Sequence, residues 1–307
     1  MKRNVLITGG SGLFALNSSV FLSEKFNCFL ALHNKIINIP WASAIPINLE
    51  DKNVVHNFLK KYEIDIIIHA AGMTDVIGCE ENKKKAYSAN VLTTMNLVEV
   101  SLKFDIEFVL ISTDHLFNGC TKFVDENTTP NPLNYYAKTK HFAELVVRKN
   151  IVKSYIIRTN FFGWGTSYRE SFSDFVIDKL RLNIITDYYE NIFYTPILVE
   201  TLTNKIYKLI THHDTNNKYG IWNICGDERI TKLDFALLVA NIFEYDNSFI
   251  NPSTYNLKSD FVRPLDMSLS CNKINKFLNC QARAVKKDLI QLKKQLNFDK
   301  HNYIRNL

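Results

Sequence analysis

The sequence predicts an α/β fold, a doubly wound parallel sheet with a smaller C-terminal lobe, and three observations lead there. The first half repeats one pattern: a short β-branched run, a loop, then a longer segment with helical spacing. A glycine cluster follows the first run directly, and after Gly165 the rhythm breaks into shorter elements. With 307 residues and 46% hydrophobic content, the chain can bury a substantial core.

Taken in order, Asn4 to Thr8 reads as the first strand and Leu13 to Lys25 as the first helix. Asn27 to Leu32 is the second strand, Asp51 to Lys61 a helix, and Asp65 to His69 the third strand. Ala86, Val91, Leu92, Leu97 and Val98 place one long helix over Lys83 to Lys103. Glu107 to Ser112, Asn134 to Lys149 and Ser154 to Arg158 complete the alternation as strand, helix and strand. Beyond Gly165, a helix is expected over Leu198 to Ile210, a strand over Tyr219 to Cys225 and a helix over Lys232 to Phe243. Thr231 and Asp234 stand as a capping pair for that last helix. Asn247 to Pro264 is polar and strand-poor, and reads as loops over a ligand. The expected organisation is a dinucleotide-binding unit over 1–165, to which 193–225 returns, and a substrate lobe from 166–192 and 226–307.

The formal charge of +6 comes from 37 basic against 31 acidic residues, with Lys83-Lys84-Lys85 the densest basic run. That run reads as a solvated helix face, so no nucleic-acid partner is expected; the mild basic balance suits a small polyanion. The six cysteines show neither a C-x-x-C pair nor zinc-like spacing, so neither a metal site nor a disulfide framework is indicated. Val5 to Ile7 is too short an apolar run for a signal peptide or a membrane span. A cytoplasmic protein with reduced thiols is the expectation.

Thr8-Gly9-Gly10-Ser11-Gly12-Leu13-Phe14-Ala15 lies between the first strand and the first helix. There a Rossmann-type fold turns backbone N–H groups and a positive helix end toward a pyrophosphate. Ala15 stands where the last glycine of the pattern usually falls. A carboxylate at the end of strand two would hold the ribose hydroxyls of NAD; this chain has His33, Asn34 and Lys35 instead. NADP(H) is therefore favoured, with NAD(H) left open.

Tyr136 and Lys140 are four residues apart at the start of a helix, hence on one face. A free phenol titrates near ~10, so acid–base work at neutral pH calls for a nearby cation, which Lys140 can supply. Ser112-Thr113-Asp114 at the end of strand four adds hydroxyls for a proton-donating network. His69 reads as a packed strand-end residue rather than a catalyst.

At this point the chain resembles the dTDP-4-dehydrorhamnose reductase family, within the extended short-chain dehydrogenase/reductases. The likeness is carried by Ile111-Ser112-Thr113-Asp114-His115-Leu116-Phe117-Asn118-Gly119 and by Pro130-Asn131-Pro132-Leu133-Asn134-Tyr135-Tyr136 through Lys140. It takes in Ile68-His69-Ala70-Ala71-Gly72, Glu80, Asn90, Arg158-Thr159-Asn160-Phe161-Phe162-Gly163 and Arg263-Pro264. The resemblance implies an NAD(P)H-dependent reductase of a nucleotide-activated 4-keto-6-deoxy sugar. Hydride would pass from the nicotinamide to the keto carbon while Tyr136 protonates the oxygen, with Thr113 and Lys140 completing the catalytic set. It implies cofactor contacts from Gly9, Ser11, Gly12, Leu13, Phe14, His33, Asn34, Lys35, Asn48, Leu49, Ala70, Ala71, Gly72, Asn90 and Ser112, besides Tyr136 and Lys140. Substrate contacts are expected from Thr74, Thr113, Asp114, Asn160, Phe161 and Arg263.

Several departures keep the particular sugar open. His115 replaces the family's usual Tyr, Ile77 stands where an Asp is general, Phe161 takes the place of a pocket Trp, and Asp187 to Pro196 fits the D-Q-x-G-x-P-T segment loosely. A dehydratase of this superfamily carries T-D-E, which Thr113-Asp114-His115 lacks, so elimination is disfavoured. Epimerisation, or a non-catalytic role as a cofactor-binding regulatory subunit, remain the alternatives. A nucleotide-diphosphate sugar is the expected partner, a membrane is not, and homodimerisation is left open.

Overall fold

The computed structural model describes residues 2–151, 153–214, 217–256 and 263–307. Seven strands form one parallel sheet: β1 (Asn4–Thr8), β2 (Asn27–Leu32), β3 (Ser43–Pro46), β4 (Ile66–His69), β5 (Glu107–Ile111), β6 (Ser154–Arg158) and β7 (Gly220–Asn223). Their spatial order is β7-β6-β5-β4-β1-β2-β3, so the winding reverses between β1 and β4 and the expected doubly wound sheet is present. Ligands of such sheets bind in the crevice beyond the strand ends at that reversal.

The strands are apolar on both faces because both are covered. Successive side chains alternate: Val5 and Ile7 of β1 join one core layer and Leu6 the other, while Ile66 and Ile68 of β4 part from Ile67 in the same way. Helices α1 (Leu13–Lys25) and α6 (Val199–Ile210) cover the first face. The second is covered by α2 (Lys52–Lys61), α3 (Thr93–Lys103) and α4 (Tyr135–Asn150). A separate core gathers α5 (Phe172–Arg181), α7 (Lys232–Phe243) and α8 (Val285–Gln295) around Trp164, Tyr188 and Tyr194. The Thr231–Asp234 pair does cap α7, as a reciprocal box at 2.8 and 2.9 Å.

Three sequence expectations are corrected. The single helix over Lys83–Lys103 is a short helix, Lys83–Tyr87, a π-helical turn, Ser88–Leu92, and then α3; Asn90, within the wider turn, reaches the loop after β4 and Thr139 of α4. The edge strand β3 was not anticipated, since Ser43–Pro46 lacks the apolar alternation of the inner strands. Within Asn247–Pro264, Ile250–Ser253 is a strand, paired in parallel with Thr186–Tyr189, because only Ile250 of the four is buried and backbone pairing rather than side-chain burial defines it. Residues 257–262 of that stretch lie outside the described residues. Among the described residues no helix is long and apolar enough to cross a membrane.

Candidate active site

The glycine loop leaves β1 at the winding reversal. Gly9 has φ of +70°, and a Cβ there would stand 3.0 Å from the Cα of Ala71, so the loop packs against the chain leaving β4 only because the side chain is absent. Gly72 is equally constrained, since its Cβ would come 2.6 Å from Asn90 Oδ1. The two loops form the floor of a trough whose two adjoining cavities measure about 380 and 410 Å³. Ser11, Gly12, Leu13, Phe14, Ala70, Thr74, Asn90, Ser112, Thr113, Asp114, Tyr136, Lys140, Asn160 and Phe161 line the first cavity. His33, Asn34, Lys35, Asn48 and Leu49 line the second, and Gly9, Ala71 and Gly72 line both.

A buried chain of hydrogen bonds holds these walls together. Thr8 Oγ1 accepts the N–H groups of Ala70 (3.1 Å) and Ala71 (3.0 Å) and lies 2.7 Å from His69 Nδ1. Because that oxygen already accepts twice, its proton goes to Nδ1, and His69 carries its own proton on Nε2, 3.0 Å from Thr94 Oγ1. Thr94 donates to the Asn90 carbonyl at 2.7 Å. Burial first, and the Lys140 charge second, pull His69 down to about 3, so it is neutral. Asn90 then bonds the N–H and carbonyl of Met73 at 2.7 and 3.0 Å and donates to Thr139 Oγ1 at 2.8 Å. Thr139 in turn donates to the Tyr136 carbonyl at 2.7 Å.

The helix that carries Tyr136 is fixed at its first turn from two sides. Asn134 caps it through the Ala137 N–H at 2.9 Å, and Glu80 accepts the Tyr135 N–H at 2.6 Å. Both oxygens sit at the positive helix end, where they are favoured. Tyr136 and Lys140 consequently face the trough, both buried, beside buried Thr113. Burial pushes the Tyr136 phenol up to about 12, against a hydrogen bond to Thr113, and the His115 ring packs edge-on to it at 5.8 Å. Lys140 does not lower the phenol as expected: its ammonium donates to the Ile111 carbonyl at 2.7 Å, and burial outweighs every opposing influence on the phenol. Lys140 itself is pulled down to about 8 by burial, with Glu144 opposing. Ser112 also departs from expectation, because its hydroxyl turns inward to Glu144 Oε1 at 2.6 Å. That carboxylate is paired with Arg158 at 2.8 Å, with both side chains 1% exposed, so the Ser112 hydroxyl belongs to a structural ion-pair network.

Asp114 lies beneath Thr113, accepts from Asn160 Nδ2 at 2.6 Å and is 4.0 Å from His115 Nε2. Burial raises Asp114 and lowers His115. Lys232, half-buried, places its ammonium 3.4 Å from the Tyr194 ring centre and 4.4 Å from that of Phe172. It is pulled down to about 7 by burial, with Asp114 opposing and Arg263 reinforcing. Arg263 is exposed and acts on His115 as well, which puts its charge near this end of the trough. Phe14 and Phe161 pair at 5.7 Å along the wall. Tyr168, Arg169 and Glu170 also line the trough and had no signal in the sequence, because they sit in a turn without periodicity.

A parallel sheet reversed at a glycine loop, with a Tyr–Lys helix and a strand-end Thr facing the same trough, defines a protein of the extended short-chain dehydrogenase/reductase class. The family model described as RmlD substrate binding domain matches residues 2–298, and the chain belongs to that family. It is similar to methionine adenosyltransferase 2 subunit beta of Bos taurus, 27% identical over 89% of this chain and 82% of that one. It is also similar to the spore coat polysaccharide biosynthesis protein SpsK of Bacillus subtilis, 27% identical over 87% and 88%. Among solved structures, a hypothetical dTDP-4-dehydrorhamnose reductase of Sulfolobus tokodaii matches at TM-score 0.80 and 28% identity, over 93% of this chain and 98% of that one. The Bacillus anthracis dTDP-4-dehydrorhamnose reductase solved with NADP shares the fold at TM-score 0.83 and 22% identity, over 96% and 100%.

The hydrogen-bond chain makes Thr8→Val informative, since it keeps shape and removes the hub oxygen. Two N–H groups and His69 Nδ1 lose their partner, which costs roughly 3 kcal/mol. Urea unfolding should show that loss, and hydrogen exchange should quicken at Ala70 and Ala71. Wild-type stability in the variant would deny the hub.

Proposed function

We propose that this protein is a nicotinamide-dependent reductase of a nucleotide-diphosphate keto-sugar, the 4-keto-6-deoxy class being the reading favoured. The observation that carries it is the meeting of Thr113, Tyr136 and Lys140 on one wall of a trough that begins at a glycine loop. Family membership supports a nucleotide-sugar oxidoreductase, and the relative named for polysaccharide biosynthesis fits it. When bound, the reduced nicotinamide supplies hydride. Gly9, Ser11 and Gly12 would hold its pyrophosphate, Ala70 to Gly72 its middle, and Lys140 its nicotinamide ribose.

The protein's own part is proton delivery. A phenol pushed up to about 12 is protonated across the physiological range and serves as donor to a nascent alkoxide. Thr113 orients the keto oxygen, and Lys140, whose ammonium donates to the Ile111 carbonyl beside the phenol, acts through the nicotinamide ribose it would hold. Tyr136→Phe should lower turnover by about 10²- to 10⁴-fold and leave dinucleotide affinity nearly unchanged. The measurement is oxidation of NADPH with a panel of nucleotide 4-keto-6-deoxy sugars, and unchanged turnover would remove Tyr136 as the acid. A second reading, a non-catalytic subunit, is favoured by the likeness to a protein named as a subunit of another enzyme. Tight dinucleotide binding with no turnover of any sugar would establish it in place of the reductase. Sugar conversion without net oxidation would mark an epimerase.

Reduction should depend on pH through Lys140. A lysine at about 8 is charged below that pH and loses its proton above it, so turnover should hold to about pH 8 and then decline. Lys140→Met should be slow at every pH and lack this limb; its persistence there would assign it to another group.

NADP(H) is the favoured cofactor. His33, Asn34 and Lys35 place no carboxylate at the end of β2, the acid lining the second cavity being Glu50 after β3, and Lys35 is held 4.5 Å over the Tyr168 ring at the cavity's edge. A charge-assisted contact to a 2′-phosphate contributes on the order of 1.5 to 3 kcal/mol, roughly ten- to a hundredfold. Lys35→Glu should erase or reverse the preference. Equal catalytic efficiency of the unmodified protein with NADPH and NADH would refute the assignment.

A further inference from the structure

The two cavities of the trough meet under a turn from the second lobe. Thr166 and Arg169 close that turn with reciprocal backbone bonds of 3.0 and 3.1 Å. Gly165 permits it, since a Cβ there would stand 2.5 Å from the Arg169 carbonyl, and its N–H is tied to Asp174 at the start of α5 at 2.6 Å. Tyr168 anchors the turn to the glycine loop by donating to the Ser11 carbonyl at 2.9 Å. Arg169 crosses to the opposite wall, where Nη2 donates to Thr74 Oγ1 at 3.0 Å. Its Nη1 lies 3.9 Å from the position a Gly12 Cβ would take. Among the described charged residues that line the trough, Arg169 is the one that lines both cavities, at the place where Gly9 and Ser11 are also shared.

An extended dinucleotide that fills both cavities passes from one to the other by its pyrophosphate alone. The pyrophosphate therefore lies where the walls are shared, beside the glycine loop and beneath Arg169. Thr74 occupies one of the five N–H donors of the guanidinium, a planar fork that suits phosphate oxygens. We propose that Arg169 is a cofactor-binding residue that clamps the pyrophosphate from the second lobe, so that holding the dinucleotide also orders the turn leading into α5. The assignment rests on the reading that the trough takes a nicotinamide dinucleotide, and it separates two roles: Lys35 distinguishes the cofactors, while Arg169 serves both alike.

The test is direct titration of the full chain with NADPH, NADH and adenosine 2′-monophosphate, which has no pyrophosphate. Arg169→Ala should weaken NADPH and NADH by a common factor of roughly ten- to a hundredfold, as the loss of a charge-assisted phosphate contact. The ratio of the two affinities should stay that of the wild type, and adenosine 2′-monophosphate should bind as before. Thr74→Val, which keeps the arginine, should change dinucleotide affinity by less than about threefold, a single neutral hydrogen bond at most. Dinucleotide affinities within twofold of wild type in Arg169→Ala, or an equal loss for adenosine 2′-monophosphate, would overturn the clamp. A wild-type protein that binds NADPH but reduces no sugar sinks the reductase reading and leaves the clamp standing. Failure of the wild type to bind either dinucleotide overturns both.

Discussion

Everything at the trough depends on how closely β1 and β4 are joined where the winding reverses. Thr8 Oγ1 serves three partners there, and from it a directional chain runs through His69, Thr94, Asn90 and Thr139 to the first turn of α4. Each member is buried, so each bond is made in a medium where a missing partner is costly. The glycine loop, the Ala70–Gly72 floor and the Tyr136 turn thus form one rigid assembly. The π-helical turn at Ser88–Leu92 belongs to it, since an uninterrupted α-helix would carry Asn90 to a different face.

The same burial sets protonation. It raises Tyr136 and Asp114 and lowers His69, His115, Lys140 and Lys232, each toward its neutral form. A dry wall of this kind keeps a phenol protonated while leaving one lysine poised near neutrality beside it. The polar groups around it have partners: Asp114 with Asn160, and Glu144 with Arg158. Glu144, two turns along α4 from Tyr136 and paired with Arg158, fixes Ser112 and supports the charge of Lys140.

The second lobe contributes more than a cover. Phe172 and Tyr194, in the separate core around α5, α7 and α8, flank the Lys232 ammonium, on which Asp114 acts, and the Thr166–Glu170 turn lies across the glycine loop. Both contacts bring side chains from after Gly165 to a crevice made by the first half of the chain.

Much of this was legible in the chain itself. The parallel sheet, the glycine loop and the helix bearing Tyr136 and Lys140 are local patterns: β-branched runs buried on both faces, a turn that tolerates no Cβ at Gly9, and two side chains one helical turn apart. Such patterns are written in consecutive residues, and consecutive residues determine them. The direction of Ser112 and Lys140, the broken helix that aims Asn90, the strand at Ile250–Ser253 and the crossing of Arg169 were decided by the tertiary structure. Each depends on a partner tens of residues away or on desolvation by neighbours from another layer, and neither spacing nor composition encodes which distant group will complete a buried bond.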